Sequence, residues 1–398
     1  MPWHTELPME QRMRFVSLAQ SGHFTVTELS REFGISRQKG HKWIKRFKES
    51  GAWGLEDRSR APNTSPNRTP PKVERLIVAV KRKHPTWGPK KIRAVLVRRH
   101  GVESPPATST VGQILKRHGL VKKRRRRGGA FCVERGGLTI AERPNHVFAV
   151  DYKGWFLLGN GERCDPLTVS DLYSRYVVAA EVVPQATVDH SMRAFRRIFR
   201  RSGLPEIIRV DNGAPFASVG AGGLTALSAW WIGLGIEVEF TRPGKPQDNG
   251  CHERMHRTMK DECCRKPSKN GAAQQLRFRR WCKTFNEERP HESINMRFPA
   301  DLWQPSSSRF DSSIKFDLYK PSETTRRVND AGFIGLGKDN IYVSVSLARC
   351  RVALREDESS GVIWLYYGNA KLGFLTMPPN AELRPPAYDQ RWEARTCT

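Results

Sequence analysis

Three carboxylates occupy positions from which they could act together. Asp151 closes the apolar run Val147-Phe148-Ala149-Val150, Asp211 closes Ile207-Ile208-Arg209-Val210, and Glu253 falls in the first turns of a segment with helical spacing that begins near Asn249. Two carboxylates at the ends of buried strands and a third early in a helix can converge on one point. Three hard oxygen donors suit Mg2+, with Mn2+ able to replace it. Two such ions about 3.5–4 Å apart can activate an attacking oxygen and neutralise a leaving one at a phosphodiester. Asp165, Asp171 and Asp189 are alternative carboxylates nearby, but Asp171, within Ser170-Asp171-Leu172-Tyr173-Ser174-Arg175, reads better as a turn-stabilising residue. The same helix carries a rival pattern. His252-Glu253-Arg254-Met255-His256 fits H-E-x-x-H, the zinc-protease helix, in which two histidines hold zinc and the glutamate acts as base. That pattern is short and signals no third ligand, and its flanks are polar, so a zinc metalloprotease is disfavoured. Cys263, Cys264 and Cys282 are better explained as buried thiols than as an extension of a zinc cluster.

The whole chain favours a polyanion partner. Among 398 residues, Lys and Arg outnumber Asp and Glu by 68 to 40, a formal charge of +28. Part of the excess is concentrated in the run Lys122, Lys123, Arg124, Arg125, Arg126 and Arg127. Eight cysteines without a C-x-x-C pair fit a reducing compartment. The first residues lack a charged segment followed by an apolar run, and no stretch approaches the ~20 apolar residues of a membrane span. These features lead us to expect a soluble intracellular protein that acts on nucleic acid.

Several elements must position the carboxylates and their substrate. Residues 1–57 read as a helix-turn-helix domain. Thr25 or Thr27 can cap its first helix, Gly34 can take the left-handed turn, and Ser36 can cap a second helix from about Arg37 to Glu49. That second helix presents Arg37, Gln38, Lys39, His41, Lys42, Lys45 and Arg46 around an inward row of Trp43, Ile44 and Phe47, a design suited to a DNA major groove. Residues 58–71, broken by Pro62, Pro66, Pro70 and Pro71, read as a linker. Residues 72–127 form a second helical DNA-binding domain that ends in the basic run, and 128–144 a further linker. Over 145–303 the order is three strands, a helix, a strand, a helix, a strand and a helix, which predicts a mixed sheet with helices on its faces, the ribonuclease-H-like arrangement. After a linker at 304–326, short glycine-cut strands over 327–380 predict a small β-barrel, and 381–398 a tail. The fold class expected is therefore multidomain: all-α units, then an α/β core, then a β-barrel.

Local motifs sharpen the reading. Val210-Asp211-Asn212-Gly213 with Pro215-Phe216, then Arg242-Pro243-Gly244-Lys245-Pro246-Gln247-Asp248-Asn249-Gly250-Cys251-His252-Glu253, closely resemble the integrase-core signature of bacterial insertion-sequence transposases and retroviral integrases. Asn286-Glu287-Glu288-Arg289-Pro290-His291 with Phe298-Pro299-Ala300 resembles the segment that closes that core in the transposases. The resemblance implies a DNA transposase of the Asp/Asp/Glu class, with Asp151, Asp211 and Glu253 binding two Mg2+ ions. It also implies binding to the terminal inverted repeats of a mobile element, phosphodiester hydrolysis, strand transfer to double-stranded target DNA, and a dimer or tetramer on DNA. The place of action would be the bacterial cytoplasm, at the nucleoid. Asn249, Arg257 and Lys260, near Glu253 on its helix, would grip DNA. Asp211 and Glu253 stand 42 positions apart, longer than the commonest family spacing, with Gly220-Ala221-Gly222-Gly223 as the segment that takes up the difference. The competing reading is a non-catalytic helix-turn-helix regulator derived from such an enzyme.

Overall fold

The computed structural model describes residues 7–59, 68–121, 137–242, 250–311, 316–376 and 382–385, and the chain divides into two compact units, Met1–Thr69 and Pro70–Thr398. The first unit holds α1 (Pro8–Gln20), α2 (Val26–Glu32) and α3 (Arg37–Ser50) around Phe15, Val16, Leu29 and Leu55. Thr25 caps α2 reciprocally: its hydroxyl accepts from Glu28 N at 3.3 Å, while the Glu28 carboxylate accepts from Thr25 N at 2.9 Å. Gly34 takes a φ of +62° between the helices, and Ser36 accepts from Lys39 N at 3.3 Å to start α3. Gly40 lets α3 approach α1, since a Cβ there would lie 2.8 Å from Phe15 Cζ.

The second unit opens with α4 (Pro71–Lys83), α5 (Pro89–His100) and α6 (Thr108–Arg117), packed around Ile77, Trp87, Ile92, Leu96, Val111 and Leu115. Phe298, from far along the chain, completes this cluster. Ion pairs join the same helices to that later segment: Lys83 to Glu288 at 3.0 Å, Arg99 to Glu288 at 3.6 Å and Arg98 to Asp301 at 2.8 Å.

A mixed sheet follows, built from β1 (Val147–Tyr152), β2 (Phe156–Leu157), β3 (Arg163–Asp171), β4 (Val177–Val183), β5 (Ile207–Val210) and β6 (Glu237–Phe240). Its order is β4-β3-β1-β5-β6, with β2 pairing the start of β3. The first three strands are antiparallel, while β5 and β6 run parallel to β1. Alternation along the strands divides the apolar residues between two faces. Phe148, Val150, Leu167 and Val169 pack with α7 (Val188–Ser202) and α8 (Ala226–Gly233) through Phe195, Ile198, Phe199 and Trp231. Ala180 and Val177 instead join a cluster with α9 (Gly250–Met259) and α10 (Gly271–Glu287) through Met255, Met259, Phe278, Trp281 and Phe285. A π-helical turn, Lys260–Cys264, continues α9.

The C-terminal strands do not make the expected β-barrel. Among the described residues, β7 (Thr325–Arg327), β10 (Arg351–Glu356), β11 (Ile363–Tyr367), β12 (Ala370–Leu375) and β13 (Leu383–Arg384) form an open antiparallel sheet in the order β13-β12-β11-β10-β7. A separate hairpin joins β8 (Phe333–Leu336) to β9 (Asp339–Tyr342). The physical reason is that the sheet covers its apolar face against the core instead of curling onto itself. Val352, Leu365 and Leu372 belong to one apolar cluster with Trp231 and Ile232 of α8. Strands of two or three residues at both edges also offer little to close a ring.

Candidate metal and nucleic-acid site

Strand register brings two of the three carboxylates side by side. β1 and β5 are parallel with Val147 opposite Ile207 and Ala149 opposite Arg209, a constant offset of 60; Asp151 and Asp211, two residues further along each chain segment, keep that offset and are close enough for the Asp211 charge to act on Asp151. Asp211 lies one residue past β5, in a loop anchored by buried Phe216, whose ring stacks on Tyr152 at 5.6 Å. Gly213 N donates to Asp211 Oδ1 at 3.3 Å, which braces the carboxylate from its own turn. Glu253 projects from the first turn of α9 and is exposed, as is Asp211. Asp151 is the enclosed member, with its side chain 24% exposed. Burial pushes its carboxyl up to about 7, and the charges of Asp211 and, more weakly, Glu253 push in the same direction. Three carboxylates are donors of the kind a hard divalent ion takes.

Behind Asp151 lies a buried polar network. Thr168, the cross-strand partner of Asp151 on β3, donates its hydroxyl proton to Asp151 O at 2.9 Å. Its oxygen lone pairs then receive Nε2–H of His252 at 2.7 Å and of His256 at 2.6 Å. Ser170 Oγ donates to His252 Nδ1 at 2.9 Å, and His256 Nδ1 stands 3.6 Å from Asp151 Oδ2. These proton positions follow from satisfying every donor. Burial holds both imidazoles neutral, pushing His252 down to about 3 and, with help from His252 and Lys153, His256 to about 2. The carboxylates of Asp151, Asp211 and Glu253 do not all lie within 4.8 Å of one another; among the described residues, the metal-type ligand atoms that do are those of Asp151, His252 and His256. Here, however, the Thr168 hydroxyl occupies both Nε2 atoms, and His252 is only 1% exposed, so no protease-like cleft opens onto them. His256, spaced to share the outward face of Glu253, turns into the core instead, while Arg257 and Lys260 are exposed.

Residues 141–246 and 234–299 each match an integrase core domain, residues 39–115 a homeodomain-like domain and residues 11–63 a helix-turn-helix domain. The chain is 28% identical over 211 residues to the uncharacterized 31.7 kDa protein of insertion element IS407 from Burkholderia multivorans, covering 51% of this chain and 72% of that protein. These matches support an insertion-sequence transposase with an integrase-like core. A Gag-Pol polyprotein of baboon endogenous virus is 30% identical over 140 residues, 33% of this chain but only 7% of the polyprotein. The HTLV-2 integrase catalytic core domain, solved in complex with magnesium, aligns with a TM-score of 0.32 and 16% identity over 41% of this chain and 99% of that one.

In the N-terminal unit, α3 exposes Arg37, Gln38, Lys39, His41, Lys42 and Lys45, whereas Arg46 is half-buried with its guanidinium 5.2 Å from the Trp43 ring. A cleft of about 540 Å3 beside this helix is lined by Arg12, Lys39, Lys42, Trp43, Arg46 and Arg58. Arg12, which the sequence pattern does not single out, covers Trp43 at 4.1 Å. Lys122, Lys123, Arg124, Arg125, Arg126, Arg127 and Asn249 lie outside the described residues. Asp171 accepts from Asn145 N at 2.9 Å and Ser174 N at 2.8 Å, the work of a turn-stabilising residue, and Asp165 is engaged by Arg163 at 2.8 Å. Thr168 and Ser170 carry the one sequence signal that pattern reading passed over, two hydroxyls alternating with Leu167 and Val169 in an otherwise apolar strand.

Proposed function

We propose that this transposase binds the terminal inverted repeats of its element and cuts and joins DNA at Asp151, Asp211 and Glu253. The observation that carries the reading is the apposition of Asp151 and Asp211 by strand register, with the Asp151 carboxyl pushed up by burial, Asp211 and Glu253. The three carboxylates would hold two Mg2+ ions, or Mn2+ in their place. When bound, such ions supply charge neutralisation at the attacking and leaving oxygens. The chain's own residues orient and enclose. Asp151, its backbone oxygen held by the Thr168 hydroxyl, is the enclosed donor; Asp211 and Glu253 complete the set from the solvent side; Arg257 and Lys260 hold the flanking phosphates. In the first reaction a water oxygen bonds to phosphorus as the strand's 3′-oxygen leaves and takes up a proton. In the second, that 3′-hydroxyl attacks a target phosphodiester in line, forming one bond and breaking one, so no external energy source is required. Residues 1–57 and 72–127, with the basic run, would deliver the DNA ends, and assembly as a dimer or tetramer on DNA would pair them, in the bacterial cytoplasm. No helix among the described residues is long and apolar enough to cross a membrane.

The test uses labelled end duplexes with Asp151→Asn, Asp211→Asn and Glu253→Gln. Each variant should lose cleavage and joining in Mg2+ while retaining end binding. Near-parental cleavage by any one variant would remove that residue from the site, and a parent that binds ends but never cleaves would favour the regulator reading.

A further inference from the structure

A second basic site lies on the other side of α9 from Glu253. At about 100° per residue, Cys251, Arg254, Met255 and Thr258 share one face of the helix, while Glu253, Arg257 and Lys260 share another. The first face opens on a cleft of about 270 Å3, lined also by Lys91 of α5, Arg175 of the β3–β4 turn, and Arg289 and His291 beyond α10. At ~30 Å3 per water, that volume exceeds the needs of a lone ion.

The charges in this cleft do not balance. Of the carboxylates that line it, Asp171 answers Arg175 while accepting from the Asn145 and Ser174 amides, and Glu292 pairs with Lys90, which leaves Lys91 and Arg254 without a paired anion among the described residues. Glu262 answers Arg289 at 3.2 Å. Among the described residues, Arg254 reaches Gly250 O at 3.1 Å and Cys251 Sγ at 3.6 Å, neither of them an anion. Burial, then Arg289, push the Lys91 ammonium down to about 7, although the more distant charges of Glu262 and Glu292 oppose this. Two nitrogens of the lining residues, Arg175 Nε and His291 Nε2, are buried without a hydrogen-bond partner among the described residues. Arg175 also holds a left-handed backbone, φ +66°, closed by its N–H on Asp171 O at 3.0 Å. A half-buried Lys91, a strained Arg175 with an unpartnered Nε and an exposed Arg254 without an anion, gathered around one cleft with Arg289, form a cationic set that a ligand can answer.

We propose that this cleft binds a phosphate group, gripped by Lys91, Arg175, Arg254 and Arg289, with Leu172, Met255 and Phe285 beside it to receive the group the phosphate carries. The phosphate is either a phosphodiester of bound DNA or that of a free nucleotide. The site is separate from the three carboxylates, so it stands whether or not they cut DNA.

The experiment uses the full chain in chelator at constant ionic strength. Inorganic phosphate is titrated against chloride, read by calorimetry and by the thermal midpoint. Phosphate should bind saturably and raise the midpoint. Lys91→Met and Arg254→Gln should each weaken it about tenfold or more, as for loss of a charge-assisted hydrogen bond. Without phosphate, Lys91→Met should unfold at a higher temperature than the parent, because it removes a desolvated cation; a purely structural lysine would give the reverse. Should Lys91→Met fail to fold, Arg254→Gln decides. Phosphate acting no differently from chloride, or binding both variants as it binds the parent, would overturn the proposal. A competing duplex names the source. Displacement of phosphate by the duplex assigns the cleft to DNA; unchanged phosphate binding, with thymidine monophosphate binding more tightly than phosphate, assigns it to a free nucleotide.

Discussion

Asp211→Asn should make the metal-free protein more stable while abolishing its response to Mg2+. The Asp151 carboxyl sits at about 7 against an ordinary 3.8, a gap that corresponds to roughly 4 kcal/mol against its ionisation in the folded state. Burial is the first cause and Asp211 the second, so the Asp211 charge accounts for the smaller part, on the order of 1 kcal/mol. In a domain of this size that corresponds to about 2 °C in the unfolding midpoint. The sign with pH follows from the raised value. The folded state binds this proton more tightly than the unfolded chain, so the contribution favours folding at low pH and is lost as pH rises from about 4 to about 7. A bound cation reverses that trend, and stabilisation by Mg2+ should therefore grow across the same window. The assay is thermal unfolding from pH 5 to 8 in chelator and in Mg2+. A variant that is less stable than the parent in chelator, or that gains as much from Mg2+ as the parent does, would refute the electrostatic account of this site.

Thr168→Val keeps the side-chain shape but leaves Nε2 of His252 and His256 without an acceptor; unfolding by denaturant should show a loss of roughly 2–4 kcal/mol, with Thr168→Ser close to the parent. The same Val variant should need more Mg2+ for cleavage, because Asp151 loses its brace. Replacing Arg257 and Lys260 together with Ala should leave the thermal midpoint and end recognition nearly unchanged and strongly reduce 3′-end processing; full processing would mark them as ordinary solvated charges. On α3, Lys39→Ala and Lys42→Ala should each weaken end binding and flatten the plot of log affinity against log salt by about one unit per lost phosphate contact, measured by anisotropy.

The parts of this fold that could be read from sequence are those governed by local periodicity and caps. Thr25, Gly34 and Ser36 announce the two N-terminal helices because each residue answers a single backbone requirement. The strands that end on Asp151 and Asp211 are visible as apolar runs, and the shared offset of their register could not be seen before the pairing was known. Three features depended on contacts across long separations. His256 faces inward because Thr168, 88 residues earlier, offers it a buried partner, and helical spacing alone places it with Arg257. The β-barrel failed as an expectation because strand alternation reports which residues are buried without saying against what; α8 supplies the cover that closure would otherwise provide. The glycine-rich segment between Asp211 and Glu253 reads as slack, yet Gly222 lies against β12, where a Cβ would meet Lys371 O at 3.1 Å.

The electrostatics of the chain contain a tension that the cations resolve. A formal charge of +28 draws in a polyanion, while Asp151, Asp211 and Glu253 repel any phosphodiester brought to them. Unit charges 4 Å apart interact by about 4 kcal/mol near a protein surface, so a reacting phosphate is excluded from the bare carboxylates even as Arg257 and Lys260 attract its neighbours. Protonation of Asp151 relieves one charge of the three. Divalent ions held by the three carboxylates would reverse the sign, and their binding would be coupled to loss of the Asp151 proton. On the proposed function, DNA would dock along the basic surfaces without metal, and its scissile phosphate would enter the site only with the ions in place, which would separate binding from chemistry.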